Sequence, residues 1–243
     1  MTVNDLMRNL GFVGMETALR RQQESPQYLE MPFEDRLYQL LQAEETERIN
    51  RKIKCNITRA KLKDRYARIE DIDYGIPKRL DKSLMLSLVS GDYVRRKQNI
   101  IITGATGTGK SYIAQALAYR AICDGFTARY YRMPRLMEDL KLSRLNGTYI
   151  NTLNQIARFH LLILDDFGIS PLGSDDANDL LEVIEDRVRV SSTIITSQLP
   201  LDNWYDYLNN ETVADAILDR LIHNSYKIDL KGESVRKIKA EKI

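Results

Sequence analysis

The sequence predicts an α/β protein, a parallel sheet sandwiched between helices and preceded by a small all-helical N-terminal domain. Three observations point there. From Gln98 onward, short apolar runs alternate with helix-periodic segments, the pattern of a parallel sheet covered on both faces. One of those runs leads into Gly104-Ala105-Thr106-Gly107-Thr108-Gly109-Lys110-Ser111, which fits the spacing G-x-x-x-x-G-K-[ST]. The first 68 residues read as helices, with a dense basic run at their end. The expected boundaries are therefore 1–68 for the helical domain and 69–243 for the sheet domain.

The 243 residues are 43% hydrophobic and 29% charged, which suits one soluble domain with an appendage, or two small domains. No apolar run approaches the ~20 residues needed to span a bilayer. The N-terminus lacks the basic-then-apolar layout of a secretory signal. Two cysteines, Cys55 and Cys123, make no disulfide framework, so a cytoplasmic location is expected. His160 and His223 have no ligand-like neighbour at metal spacing. The net charge of +2 hides an asymmetry: residues 1–68 carry +3 and the remainder −1. Residues 51–68 hold eight bases against one acid, Asp64. Such a run suits either nucleic acid phosphates or a solvated helix face.

The elements follow in order. Leu6, Met7 and Leu10 fit a short helix near Gly11 and Gly14. Pro32 stands at a helix start, followed by Glu34 and Asp35, with Phe33, Leu37, Leu40 and Leu41 on one apolar face. A separate, highly charged helix is expected over 44–63. Residues 69–97 read as a connector with a short helix over 80–89. In it Tyr74 is either an adenine-stacking residue or a buried linker aromatic. Strands are expected at 100–103, 128–131, 161–164, 193–197 and 226–230. The helix after the glycine-rich loop repeats Ile113, Ala114, Leu117, Ala118, Ala121 and Ile122 and stops at Gly125. Another, over 176–190, carries Ala177, Leu180, Leu181, Ile184 and Val188 on one stripe.

The chemistry concentrates at strand ends. Glycines in the loop from Gly104 to Ser111 let backbone N–H groups turn toward phosphates. Lys110 brings a cation to the β- and γ-phosphates, and Ser111 offers a hydroxyl to Mg²⁺. The run Leu161-Leu162-Ile163-Leu164 ends in Asp165-Asp166. A buried strand ending in Asp is how nucleotide-binding proteins aim an acid at Mg²⁺, which suits Asp165. Asp166 could then polarise the attacking water. Gln198, at the end of another apolar run, is either a γ-phosphate contact or an ordinary polar strand end. Arg220 and Arg236 are either surface residues or phosphate contacts, and a guanidinium on Arg220 could reach the nucleotide of a neighbouring subunit.

Taken in order, GATGTGKS, LLILDDFG, TIITSQLP, ILDRLIHN and GESVRK resemble the IstB-like AAA+ ATPases. These are transposition helper proteins encoded by insertion sequences and related to the DnaC helicase loaders. The resemblance extends upstream to MPFEDRLYQLLQAEETER and RIEDIDY, so it covers nearly the whole chain. It implies a P-loop NTPase of the AAA+ type, with residues 104–111 as Walker A and Asp165 as the Walker B magnesium ligand. Asp166 takes the place usually held by a catalytic Glu. The resemblance also implies Gln198 as sensor 1, Arg220 as an arginine finger and Arg236 as a sensor-2-like arginine. No C-terminal lid is expected beyond it. Helical material over 134–153, with Arg135, Lys141 and Arg144, falls where this branch contacts DNA; Arg59, Lys61 and Lys63 are the alternative phosphate contacts from the basic run. The implied activity is Mg²⁺-dependent ATP hydrolysis with self-assembly on duplex DNA, in the service of a transposase. A DnaC-like helicase loader is the nearest alternative, ahead of a small-molecule kinase and of a nucleotide-switched scaffold.

Overall fold

A computed structural model describes residues 2–75, 80–232, 234, 235 and 237. The chain divides into two compact units, Met1–Cys55 and Asn56–Ile243.

The first unit is helical. Thr2 starts α1 (Val3–Asn9) with a reciprocal cap: its hydroxyl accepts from the Asp5 N–H, and its own N–H donates to Asp5. α2 (Val13–Glu24) follows, then a 3₁₀ turn over Pro26–Tyr28 and α3 (Phe33–Ala60). The two helices expected over 33–63 are thus one. No proline or glycine interrupts the segment, so nothing breaks the backbone ladder. Pro32 sits just before it, and its carbonyl accepts from the Arg36 N–H. Within this unit α2 meets α3 closely at Gly14, where a Cβ would collide with the Ala43 carbonyl. The Gly14 N–H donates to the buried Glu44 carboxylate at 2.8 Å, and Arg48 pairs with the same group at 2.7 Å.

The second unit begins upstream of the boundary expected at residue 68. Ala60, Leu62, Ala67 and Ile69 are buried. The N–H of Asp64 donates to Gln115 at 2.7 Å, and that of Arg68 to the Tyr112 hydroxyl at 3.1 Å. Burial and bonding to the sheet domain, rather than helical composition, decide where these residues belong. α4 (Lys82–Val89), capped by Asp81, and α5 (Asp92–Arg95) lead into β1 (Asn99–Gly104). Then come α6 (Lys110–Cys123), β2 (Ala128–Arg132), α7 (Met133–Leu145), α8 (Tyr149–Ala157) and β3 (Leu161–Phe167). The rest is α9 (Ser174–Glu185), β4 (Ser192–Ser197), α10 (Trp204–Leu208), α11 (Glu211–Ile222) and β5 (Ser225–Leu230).

The five strands form one sheet in the order β2-β3-β4-β1-β5, and every pairing is parallel. Side chains alternate across it. Ile101, Leu162, Leu164 and Ile195 join a core with Leu136, Leu180, Val183, Trp204 and Ile217 from the helices of one face. Ile100, Ile102, Ile163 and Ile194 are equally buried and point to the other face, which α6 covers with Ile113, Ala114 and Leu117. All parallel strands therefore end on the same edge, and the loops there carry the chemistry.

Gly14→Ala should destabilise the N-terminal unit by about 1–3 kcal/mol, the usual cost of overpacking. Amide exchange along α2 and α3 measures it, and exchange at the wild-type rate would mean the helices separate there without cost.

Candidate functional site

β1 ends at Gly104, and α6 starts at Lys110, so the glycine-rich loop leaves the sheet at the end of β1, between β4 and β5. Gly107 and Gly109 have φ of 84° and 96°, conformations that favour glycine. A Cβ on Gly107 would also collide with Ser234, whose neighbour Val235 donates its N–H to the Gly107 carbonyl at 2.9 Å. The loop therefore lies against Ser234 and Val235. Arg236 itself falls outside the described residues. The buried Lys110 ammonium donates to the carbonyls of Gly104 and Ala105 at 2.7 and 2.8 Å, which holds its charge over the loop.

Asp165 is the hub beside that loop. It is 3% exposed, and hydroxyls from three elements converge on it. Ser111 of α6 donates to Oδ1 at 2.7 Å, Thr196 of β4 donates to the same oxygen, and Tyr130 of β2 donates to Oδ2 at 2.6 Å. Burial, and after it the bond to Asp165, push the Tyr130 hydroxyl well above the ordinary tyrosine range, so it stays a donor. A serine hydroxyl beside a carboxylate is a hard oxygen donor pair. It fits Mg²⁺, which takes one or two protein oxygens and completes its shell with phosphate and water.

Asp166 differs from its neighbour. Its φ is 62°, at a register irregularity between Leu164 and Phe167. This turns its carboxylate away from the core to Arg132, 2.8 Å distant at the end of β2. Its N–H donates to Thr196 at 3.3 Å. Gln198 reaches across from the end of β4, and its side-chain carbonyl accepts from the Thr106 hydroxyl at 2.8 Å. Lys110, Ser111, Asp165, Asp166, Gln198 and Thr106 thus share one edge of the sheet.

Tyr130, Arg132 and Thr196 belong to this cluster and were not singled out from the sequence. Each stands at or near a strand end. Only the strand order, with β3 between β2 and β4, makes them neighbours of the two acids. The register opposes Arg132 to Asp165.

Other expected site residues lie elsewhere. Arg220 is at the opposite edge: its carbonyl accepts from Asn99 at the start of β1, whereas the loop leaves the end of β1. A six-residue strand separates them, roughly 17 Å at 3.3 Å per residue. Its guanidinium pairs with Glu185 and donates to the Ala216 carbonyl at 2.9 Å. Tyr74 is half-buried with Lys82 over its ring at 6.0 Å.

Arg59, Lys61 and Lys63 are exposed, as is Arg135, which pairs with Glu138 and Asp139 on its own helix. Lys141 and Arg144 are committed differently. Lys141 pairs with Asp176 at 2.8 Å, and Arg144 pairs with Asp179, which also accepts from Tyr149 at 2.8 Å. Asp179 is 2% exposed, so withdrawing Arg144 would strand a buried carboxylate. Both bases tie α7 to α9.

Comparison with known proteins places the chain in a family. Residues 5–242 match the family described as IstB-like ATP binding protein. The chain is 40% identical over 233 residues to the insertion sequence ATP-binding protein y4pL of Sinorhizobium fredii, spanning 96% of this chain and 95% of that one. It is 40% identical to the IS1162 ATP-binding protein of Pseudomonas fluorescens, spanning 80% of this chain and 84% of that one. Among solved structures, the DnaC helicase loader superposes with a TM-score of 0.56 at 20% identity, over 68% of this chain and 97% of that chain. AMPPCP-bound DnaA from Aquifex aeolicus gives 0.56 at 19%, over 72% of this chain and 54% of that chain. At these identities the structural likeness concerns the fold: this is the α/β P-loop architecture of AAA+ domains.

Tyr130→Phe should raise the Mg²⁺ midpoint for nucleotide binding about tenfold, the low end for loss of a group that orients a metal ligand. Titrating Mg²⁺ against a fluorescent ATP analogue measures it. An unchanged Mg²⁺ midpoint would mean that Ser111 and Thr196 orient Asp165 without help.

Proposed function

This chain belongs to the family of IstB-like ATP binding proteins, and from that premise we propose that it is a Mg²⁺-dependent ATPase that assembles on duplex DNA and assists a transposase. The observation that carries the reading is the split between the two sheet edges. One edge gathers a complete phosphate-binding loop and two acids; the other holds Arg220, out of reach of its own loop. A second subunit would bring the two edges together.

In this reading the loop amides and Lys110 bind the triphosphate tail. Ser111 and Asp165 would hold Mg²⁺, which when bound neutralises charge on the β- and γ-phosphates. Asp166 accepts a proton from, or orients, the attacking water once its carboxylate is free of Arg132. Gln198, already bonded to Thr106 of the loop, would contact the γ-phosphate. Arg220 acts in trans on the developing charge, with Arg236 a further candidate phosphate contact. Tyr74 retains its role as a candidate adenine contact from the connector. Duplex DNA would lie on exposed cations, of which Arg59, Lys61, Lys63 and Arg135 are the strongest candidates. The named relatives belong to insertion sequences, which favours a transposase as client. A helicase loader would instead prefer single strands.

Lys110→Ala should abolish ATP binding, whereas Asp166→Asn should bind ATP normally and turn it over at least tenfold more slowly, within the usual contribution of a general base. Equilibrium binding and single-turnover hydrolysis separate the two effects; fast turnover in Asp166→Asn would move the base elsewhere.

Arg220→Ala should keep the ATP affinity of dilute subunits and lose on the order of 10³-fold in turnover. Mixed with Lys110→Ala, it should recover part of the activity at junctions that pair an intact loop with an intact arginine. A mixture that assembles yet stays inactive sinks the trans arrangement.

Replacing Arg59, Lys61 and Lys63 by Ala should weaken binding to unrelated duplexes by similar factors. The slope of log affinity against log salt should become shallower by about 0.9 per lost contact. An unaltered slope would put the DNA on another face.

A further inference from the structure

At the strand-start edge of the sheet, opposite the phosphate loop, lies a cavity of about 310 Å³. Its lining includes Lys97, Arg187, Arg189, Ser191, Arg220 and His223. Four features set it apart from an ordinary crevice.

The first is charge. Lys97, Arg187 and Arg189 face it without an ion pair among the described residues, and Arg220 faces it while paired with Glu185. The lining has one carboxylate, Asp219, which lies 3.0 Å from His223. The second is Arg187, which is 2% exposed. Its donors go to neutral groups only: the carbonyls of Ile156, Phe159 and Ser192 and the hydroxyl of Thr193. Its positive charge is buried without a counter-charge, and burial pushes the guanidinium down to about 9, still charged near neutrality. The carbonyl and hydroxyl dipoles hold that charge in place without cancelling it, so it adds to the positive field at the cavity wall. The third is Ser191. Its hydroxyl is buried with no hydrogen-bond partner among the described residues, in a side chain 5% exposed. A buried orphan donor in a cationic cavity fits an oxyanion. Lys97 and Arg189 also hold left-handed backbone, with φ of 59° and 58°, which a lysine or arginine adopts only against its steric preference.

We infer that this cavity receives a phosphoryl group from the nucleotide bound to a second copy of this chain, with Lys97 and Arg189 holding that group alongside Arg220. The inference rests on the trans reading of Arg220 and deepens it: the arginine is one cation of a built receptor, not a lone finger. Glu185 neutralises Arg220 until the incoming phosphate replaces it as partner. Ser191 supplies a neutral donor at the cavity wall.

The test uses the full chain with the variants Lys97→Ala, Arg189→Ala, Arg189→Lys and Arg220→Ala. Sedimentation in ATP and Mg²⁺ measures assembly, and a fluorescent ATP analogue measures affinity in dilute subunits. Lys97→Ala and Arg189→Ala should each raise the protein concentration needed for ATP-driven assembly about tenfold. Affinity of dilute subunits should stay within about twofold of wild type, because the cavity is remote from their own loop. Arg189→Lys should recover part of the loss. If both alanine variants assemble like wild type while Arg220→Ala loses turnover, the receptor fails and the trans arginine survives. If Arg220→Ala turns over normally while the other two fail to assemble, the receptor stands and Arg220 is not its catalytic member. Thermal melting with inorganic phosphate separates the sources of the anion. Stabilisation of wild type but not of Arg189→Ala, with assembly unchanged in both, would make this a free-anion site and overturn the neighbour's nucleotide as its ligand.

Discussion

The carboxylate of Asp165 is the point on which the described geometry turns. Three hydroxyls reach it from β2, β4 and α6, so it joins three elements that are far apart in sequence. A buried carboxylate in an apolar sheet is tolerated only with several donors, and here each donor comes from a different piece of the fold. The requirement runs in both directions. The acid needs the sheet order to collect its donors, and the start of α6, hence the phosphate loop, is drawn to the end of β3 by Ser111. The loop and the acid are therefore positioned by one network.

Much of this was legible in the sequence because buried parallel strands are written as continuous apolar runs. The five expected strands lie within a residue or two of the observed ones, except at the end of β3, which continues through the two acids to Phe167. The phosphate loop was legible because its glycines answer a backbone demand that few other residues meet. What could not be read was adjacency. Tyr130 and Arg132 look like ordinary polar residues until β2 is known to pair with β3. Lys141 and Arg144 look like free cations until Asp176 and Asp179 appear across from them on α9. Charge patterns report where bases occur, and only tertiary structure reports which acids they have already engaged. The single helix α3 fails in the opposite way: a change in composition near Glu44 suggested a break where the backbone has none.

The two edges of the sheet divide the labour. At the strand-end edge, polar groups satisfy one another densely: Lys110 with loop carbonyls, Gln198 with Thr106, Asp166 with Arg132. At the strand-start edge, positive charge accumulates without equivalent compensation around Arg187 and Arg189. Such an imbalance does little for the stability of a lone subunit. It becomes intelligible when the missing negative charge is supplied by another molecule.

Asp166 also bears on how freely its position can vary. Its left-handed backbone, with φ of 62°, is one that aspartate and asparagine enter more readily than longer side chains do. The torsion therefore suits the short acid that this chain carries near the end of β3. Side-chain length and backbone conformation are coupled at this position. Exchange for glutamate, which preserves charge and looks mild, alters both the reach toward Arg132 and the ease of holding the turn. Asparagine, which removes the charge, leaves the backbone undisturbed. Substitution here is therefore limited by geometry before chemistry, because the strand's irregularity sets which acid the turn can hold.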